Sequence, residues 1–323
     1  MGQDAMKNAD RKDNQILAIW VIIGTVFLLS LGDALIKNVQ SDLVLWQIFV
    51  IRSWIALIVL VTILGVKFRH VSLWPKNLFW TITRSLLMGI MWIAYYVALP
   101  QIPLSIAASA YYTAPIFITL FSAFFLGDRV NIWGWIAVVI GFGGVVLILQ
   151  PSAEAFNLYA LPPIISAILY ALSMIITRAK CRDEHPLILS AGLNLAFIFF
   201  GFLATFGLGL FASPDAFSTF LSPQWGDMDR ATWMLLLALA AFILIGSIGA
   251  AIAYQNGKPS VVGIFDFSYV GFAVFWGFLI FNETPDATGI LGMVMIVLAG
   301  MLTMIEKSPA ALLPLRFKRS GSS

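Results

Sequence analysis

Apolar residues run along this chain in blocks of about twenty, separated by short polar connectors. Ten blocks are legible: 15–36, 43–66, 77–98, 104–126, 132–149, 158–177, 187–210, 232–255, 260–281 and 287–305. A helix needs about 20 apolar residues to cross a hydrocarbon core about 30 Å thick. Each block therefore predicts one spanning helix, and the predicted fold class is an all-α membrane protein with ten transmembrane helices. A polar tail, 1–14, precedes the blocks, and a Pro- and Lys/Arg-rich tail, 306–323, follows them. The first block ends near Gly32-Asp33-Ala34, which loosely resembles a signal-peptide cleavage site. Its length and the many blocks after it predict an uncleaved first helix instead. The longest connector, 211–231, is rich in Ser, Pro and Asp and holds Trp225. It predicts an external loop with an interfacial turn.

The stretch from Arg84 to Pro151 organises the rest. Its three blocks are joined by Pro100-Gln101-Ile102-Pro103 and by Gly127-Asp128-Arg129-Val130-Asn131. A weaker copy returns near the end of the chain. An offset of 155 sets Asp128 against Glu283, Gly134 against Gly289, Ala98 against Ala253 and Tyr111 against Asp266. The expected domains are a first five-helix repeat at 15–149, a linker at 150–157 and a second repeat at 158–305. Five spans per half is an odd number, so related halves enter the membrane in opposite directions. That is an inverted-topology repeat around a central cavity, an architecture recurrent in secondary transporters.

Composition removes the soluble alternatives. Of 323 residues, 60% are hydrophobic and 11% are charged, and the mean hydropathy is +0.93. Soluble domains carry about 25% charged residues. The net charge of +3 matters less than its distribution. Fifteen of the 19 Lys and Arg residues fall in the tails and alternate connectors on one side; Lys37 and Arg230 fall on the other, and Arg52 and Arg84 lie inside spans. Positive residues mark the cytoplasmic side, so both termini are expected in the cytoplasm and the chain in the cell (inner) membrane. The single cysteine, Cys181, excludes an internal disulfide.

Charges inside the membrane cost roughly 2.5–3.5 kcal/mol each on insertion scales, so each demands a reason. Asp33 lies late in the first span, with Lys37 one helical turn on. It is either an outer-end ion pair or a cavity-mouth carboxylate for cations or protons. Arg52, near the middle of the second span, locks a helix to a carboxylate or to carbonyls, or else binds an anionic group. Arg84, a turn and a half into the third span, is within reach of cytoplasmic headgroups or serves as an ion-pair or coupling residue. Asp266 shares its repeat position with Tyr111, so the two are expected to line one cavity, with Asp266 the leading functional carboxylate. Tyr95, Tyr96, Tyr111, Tyr112, Tyr170, Tyr254 and Tyr269 lie mostly inside spans, where phenols want hydrogen bonds and ring faces suit flat or cationic solutes; of these, Tyr95, Tyr111, Tyr112, Tyr170 and Tyr269 are the expected solute contacts, with Asp266. Trp20, Trp46, Trp74, Trp80, Trp133 and Trp233 lie nearer span ends as expected interfacial anchors. Gly141, Gly144, Gly246 and Gly249 are expected to let helices approach closely.

Leu99 to Pro151 also resembles the drug/metabolite transporter superfamily in its EamA-type branch, a resemblance that covers about residues 15–306. Pro115 stands in the middle of the fourth span, Leu126-Gly127-Asp128 follows, and the fifth span holds Gly141, Gly143 and Gly144 before Pro151. The second half departs: Phe281-Asn282-Glu283 stands at the Gly-acidic step, and no proline matches Pro115. The resemblance implies ten helices, two inverted five-helix repeats, a central cavity and movement of small organic metabolites. The expected function is a secondary transporter working by alternating access. The expected partners are a small organic solute, membrane lipid and protons as candidate coupling ion, with no nucleic acid, cofactor or metal; the oligomeric state is open between monomer and homodimer. A channel or receptor is the alternative, and an intramembrane enzyme a weaker one. Both histidines, His70 and His185, and Cys181 fall in connectors, which leaves carboxylates alone for chemistry in the bilayer.

Overall fold

The computed structural model describes residues 14–39, 43–68, 72, 74–98, 110–149, 161–211, 219–281 and 287–305. Residues 1–13 and 306–323, the linker 150–157, the Pro100–Pro103 connector and Glu283 lie outside these residues. The described residues form helices and loops, with no strand among them. In chain order the helices are α1 (Gln15–Val39), α2 (Leu45–Lys67), α3 (Leu78–Ala98), α4 (Ala114–Phe121), α5 (Ile132–Leu149), α6 (Leu161–Lys180), α7 (Pro186–Phe211), α8 (Arg230–Asn256), α9 (Pro259–Asp266), α10 (Ser268–Phe281) and α11 (Ala287–Ile305). By length and composition, α1, α2, α3, α6, α7 and α8 can each cross a membrane.

Several helix starts are written locally. The first amides of a helix lack intrahelical acceptors, and Asn or Asp side chains supply them. Asn14 accepts from Leu17 N–H at 3.1 Å at the start of α1. Asn131 accepts from Gly134 N–H at 2.9 Å for α5, and Asp229 accepts from Thr232 N–H at 2.8 Å for α8. Asp229 is exposed, and this bond to Thr232 lowers its carboxyl pKa below the ordinary value. The Gly127-Asp128 step is also local chemistry. A π-helical turn, Ser122–Leu126, extends α4 and ends on Gly127, whose φ of 68° is the left-handed conformation that glycine takes without strain. The Asp128 carboxylate then accepts the Ser122 hydroxyl.

Two of the expected spans are interrupted. The block at 104–126 is broken by a turn at Tyr112–Thr113 before α4, and the block at 260–281 is broken at Phe267 between α9 and α10. Pro115 accounts for the first break. It has no N–H for the carbonyl of Tyr111, four residues back, so the helical ladder cannot run through. The second break has no proline. The two breaks lie 155 residues apart (112 and 267), the same offset at which the sequence sets Tyr111 against Asp266.

The closest packing joins α5 to α11, α3 to α6, α1 to α8 and α2 to α7. Small residues permit it. A Cβ on Gly144 of α5 would lie 2.6 Å from the Gly292 carbonyl of α11, and one on Gly249 of α8 would strike Thr25 of α1. Polar side chains stitch the interior. Ser166 donates to the Met91 carbonyl at 2.7 Å, and Ser190 and Ser247 hydroxyls lie 2.6 Å apart. The outside is apolar: Ile58, Phe124, Leu203, Phe206 and Leu237 are all exposed. That inversion, polar groups paired within and large apolar side chains outward, suits a lipid surround.

The loop between α7 and α8 is pinned down. Its described part holds a short 3-10 turn, Thr219–Leu221. Trp46 donates to the Leu221 carbonyl at 3.1 Å, and the Gln47 amide exchanges two 3.0 Å hydrogen bonds with Gly226. Trp46 is therefore buried and is not the expected interfacial anchor, because its indole N–H has found a carbonyl inside the protein. Trp20, Trp74, Trp133 and Trp233 are exposed as an interfacial role requires.

Candidate functional site

A cavity of about 940 Å³, mouth included, opens between the helices. Helix α1 contributes Thr25 and Asp33; α3 contributes Met88, Trp92 and Tyr95; the break before α4 contributes Tyr111 and Tyr112; α6 contributes Tyr170. Helix α8 adds Gly246 and Ser247, while Asp266 and Tyr269 come from the two sides of the Phe267 break. All six residues expected to bind solute, Tyr95, Tyr111, Tyr112, Tyr170, Asp266 and Tyr269, thus line one space. Gly246, read from the sequence as packing alone, lines it too.

The two interrupted helices explain how the site is reached by the chain. Asp266 ends α9, so its side chain leaves the helix where the ladder is already open. Tyr111 and Tyr112 sit in the corresponding turn before α4. Phe267 is fully buried, and its ring occupies the space beside Gly141 of α5, 2.7 Å from where a Cβ would be. That contact fixes the break between Asp266 and Tyr269.

The seven described tyrosines form a continuous aromatic wall. Ring centroids lie 5.4 Å apart for Tyr95 and Tyr111, 5.7 Å for Tyr111 and Tyr112, and 6.0 Å for Tyr111 and Tyr170. Tyr112 meets Tyr269 at 5.4 Å, and Tyr170 meets Tyr254 at 6.4 Å. Trp92 stacks on Tyr96 at 5.3 Å.

The wall holds both carboxylates. Asp266 Oδ2 accepts from Tyr254 at 2.5 Å and from Tyr170 at 3.3 Å. Asp266 Oδ1 is buried with no donor among the described residues, and the residue is 7% exposed. Asp33 is finished on both oxygens: Tyr96 donates to Oδ1 at 3.4 Å and Tyr269 donates to Oδ2. The side chain of Lys37, the sequence's candidate partner for Asp33, lies outside the described residues. Tyr254 and Tyr96 were missing from the expected site. Their mid-span positions were visible, but a phenol twelve residues before Asp266 reaches it only because the chain reverses through Gly257-Lys258-Pro259.

The two intramembrane arginines do not line the cavity. Arg84 is fully buried and so does not reach the headgroups. It donates to Thr177 Oγ1 at 2.7 Å and to the Leu189 carbonyl at 3.3 Å, tying α3 to α6 and α7. Arg52 lies between the rings of Phe49 and Phe197, 5.5 and 4.9 Å from their centroids, an arrangement in which ring faces attract the guanidinium. From there it acts electrostatically on Asp33 and Tyr96. Among the described residues no group of three or more His, Cys, Asp or Glu stands ready for a metal ion.

A site of this kind, set in an all-helical body with an apolar exterior, defines an integral multi-pass membrane protein. Residues 16–150 match the EamA-like transporter family, and over that stretch the chain is similar to the EamA-type branch of the drug/metabolite transporter superfamily. The match ends near the start of the half whose motifs depart from the family pattern. Longer similarity comes from individual relatives. The chain is 28% identical to the pseudopaline exporter CntI of Pseudomonas aeruginosa over 274 residues, 84% of this chain and 90% of that one. It is 26% identical to the riboflavin transporter of Vibrio cholerae, covering 87% and 90%, and 24% identical to the S-adenosylmethionine uptake transporter of Rickettsia bellii, covering 88% and 94%. One crystal structure superposes with a TM-score of 0.73 at 18% identity, over 92% of this chain and 99% of that one. At that identity the likeness is one of fold.

Proposed function

We propose that this protein is a secondary transporter, not an enzyme, that moves a small organic metabolite across the cell (inner) membrane by alternating access, with protons as the coupling ion. The observation that carries the reading is the cavity itself. Its two carboxylates, Asp33 and Asp266, are held by tyrosines on helices from both halves of the chain, and two broken helices meet at it. Broken helices at a cavity between two repeats are what a rocking carrier requires.

Ten spans in two inverted five-helix repeats, 15–149 and 158–305, fit the packing. Let spans one to five exchange with six to ten. The α1–α8 contact then maps onto α6–α3, α3–α7 onto α8–α2, and α1–α10 onto α6–α4, while α2–α7, α4–α9 and α5–α11 map onto themselves; all of these contacts are present. The equivalent helix breaks support the same exchange. The asymmetry of Lys and Arg orients both termini to the cytoplasm. Labelling of single cysteines placed at positions 7, 70 and 318 is expected from the cytoplasm, and at 155 and 225 from outside. External labelling at 318 would sink both the span count and the inverted repeat.

Asp266 takes up a proton from one side of the membrane and gives it to the other, and its neutral form lets the halves rock. The groups facing it are Tyr170 from α6, Tyr254 from α8, Tyr111 and Tyr112 from the turn before α4, and Asp33 across the cavity on α1; α5 and α11 carry no charged residue. The test is flux in proteoliposomes under an imposed pH gradient. A panel starting from the relatives' named solutes, riboflavin and S-adenosylmethionine, is a suitable first screen. Accumulation that collapses with the gradient is expected. Downhill leak of ions without solute selectivity would make the protein a channel instead.

A further inference from the structure

We infer that the transported solute is a primary or secondary organic ammonium with an apolar or aromatic body, bound with its N–H groups on Asp266. The inference rests on the transporter reading and names the solute class of that cavity.

The first observation is the unequal finish of Asp266. One carboxylate oxygen is taken by two tyrosine hydroxyls, while the other is buried with no donor among the described residues, and the residue lines the cavity. A buried carboxylate without its full set of partners is costly, so a donor arriving at that oxygen gains more than it would in water. The second is the sign of the lining. Among its described residues are two carboxylates and no Lys, Arg or His. An anionic solute would meet repulsion with no compensating cation. The third is the wall. The rings of Tyr95, Tyr111, Tyr112 and Tyr170 and of Trp92 offer faces that suit both a cation and a flat apolar body.

The remaining carboxylate limits the charge to one. Both oxygens of Asp33 are occupied by Tyr96 and Tyr269, and Arg52 acts on it from between Phe49 and Phe197. Asp33 therefore needs no second cation from the solute. A bare metal ion fits poorly, since hard cations take about six or more oxygen ligands and the free oxygen of Asp266 has no carboxylate beside it.

The test uses the full chain in detergent and measures equilibrium binding by calorimetry. The probes are 2-phenylethylammonium, its neutral counterpart 2-phenylethanol, the anionic 3-phenylpropionate, and the trimethylated ammonium that lacks N–H. A hydrogen bond to a charged group corresponds to a factor of about ten or more in affinity. The ammonium is expected to bind at least that much more tightly than the neutral and anionic probes, with the trimethylated probe between. Asp266→Asn is expected to abolish this preference while the neutral probe binds as before. Equal binding of the neutral or anionic probe, binding of none, competition by sodium ion, or a preference that survives Asp266→Asn would overturn the inference. The selectivity of the unmodified protein decides the matter even if the variant fails to fold. Ammonium-selective binding without flux in proteoliposomes would sink the transporter reading alone. Flux of a neutral or anionic solute without ammonium binding would sink this inference alone.

Discussion

Asp33 and Asp266 both lie in the cavity lining, and each accepts hydrogen bonds from two tyrosines, yet they are completed in opposite ways. Asp33 has one tyrosine on each oxygen and a cation, Arg52, acting from a neighbouring aromatic pocket. Asp266 has both tyrosines on one oxygen and no donor among the described residues on the other. No described cation pairs with it, and Arg84 is committed to Thr177 and the Leu189 carbonyl. The difference separates two tasks. A carboxylate whose partners are all internal holds helices in register, here α1 to α3 and α10. A carboxylate with an open oxygen can exchange a proton or receive a solute.

The largest effect is expected from Asp266→Asn. The variant keeps the shape and loses the titration, so concentrative transport should fall by about tenfold or more while some downhill exchange persists, the loss of a charged hydrogen-bond partner setting that scale. Asp33→Asn should keep coupled transport and lose stability instead. If the two variants exchanged these outcomes, the division of labour would be reversed.

Double-mutant cycles sharpen the same contrast. Asp33→Asn with Arg52→Gln should show a coupling energy of roughly 0.5–3 kcal/mol in unfolding, as interacting groups do. Asp266→Asn with Arg84→Gln should be additive within roughly 0.5 kcal/mol. Rescue of Asp266→Asn by Arg84→Gln would recast Asp266 as half of a structural ion pair.

The wall can be tested apart from the carboxylates. Tyr111→Ala or Tyr112→Ala should impair transport more than Trp133→Ala, with expression unchanged, because Trp133 is half exposed on the outside of the protein. Equal losses from all three would make the tyrosines ordinary packing. The smallest effect is a control. Cys181 is buried, and that burial pushes its thiol pKa up to about 11. Thiolate is the reactive form, so Cys181 in the folded protein should resist maleimide at neutral pH and label after denaturation. Labelling of native Cys181 would show that the connector opens and would spoil it as a silent background for cysteines placed near Asp33 and Asp266.

Much of this protein is determined by sequence acting locally. Twenty-residue apolar blocks must become helices in a membrane, since each backbone polar group there needs an internal partner. Asn14, Asn131 and Asp229 cap the helices they precede, Gly127 ends one, and Pro115 breaks another, all through groups within a few residues. The repeat offset paired Tyr111 with Asp266, and both line the cavity. Tertiary structure alone decided the rest. The carboxylate at the start of α3 belongs to Glu184, which accepts from the amides of Lys76 and Asn77 from more than a hundred residues away. The break at Phe267 has no proline; its ring packs where Gly141 of α5 leaves room. The apolar blocks around them told that Arg52 and Arg84 needed partners, but not which. Apolar blocks of nearly uniform character carry little information about their neighbours, so only the packed helices could place Tyr254 on Asp266 and leave its second oxygen without a donor among the described residues.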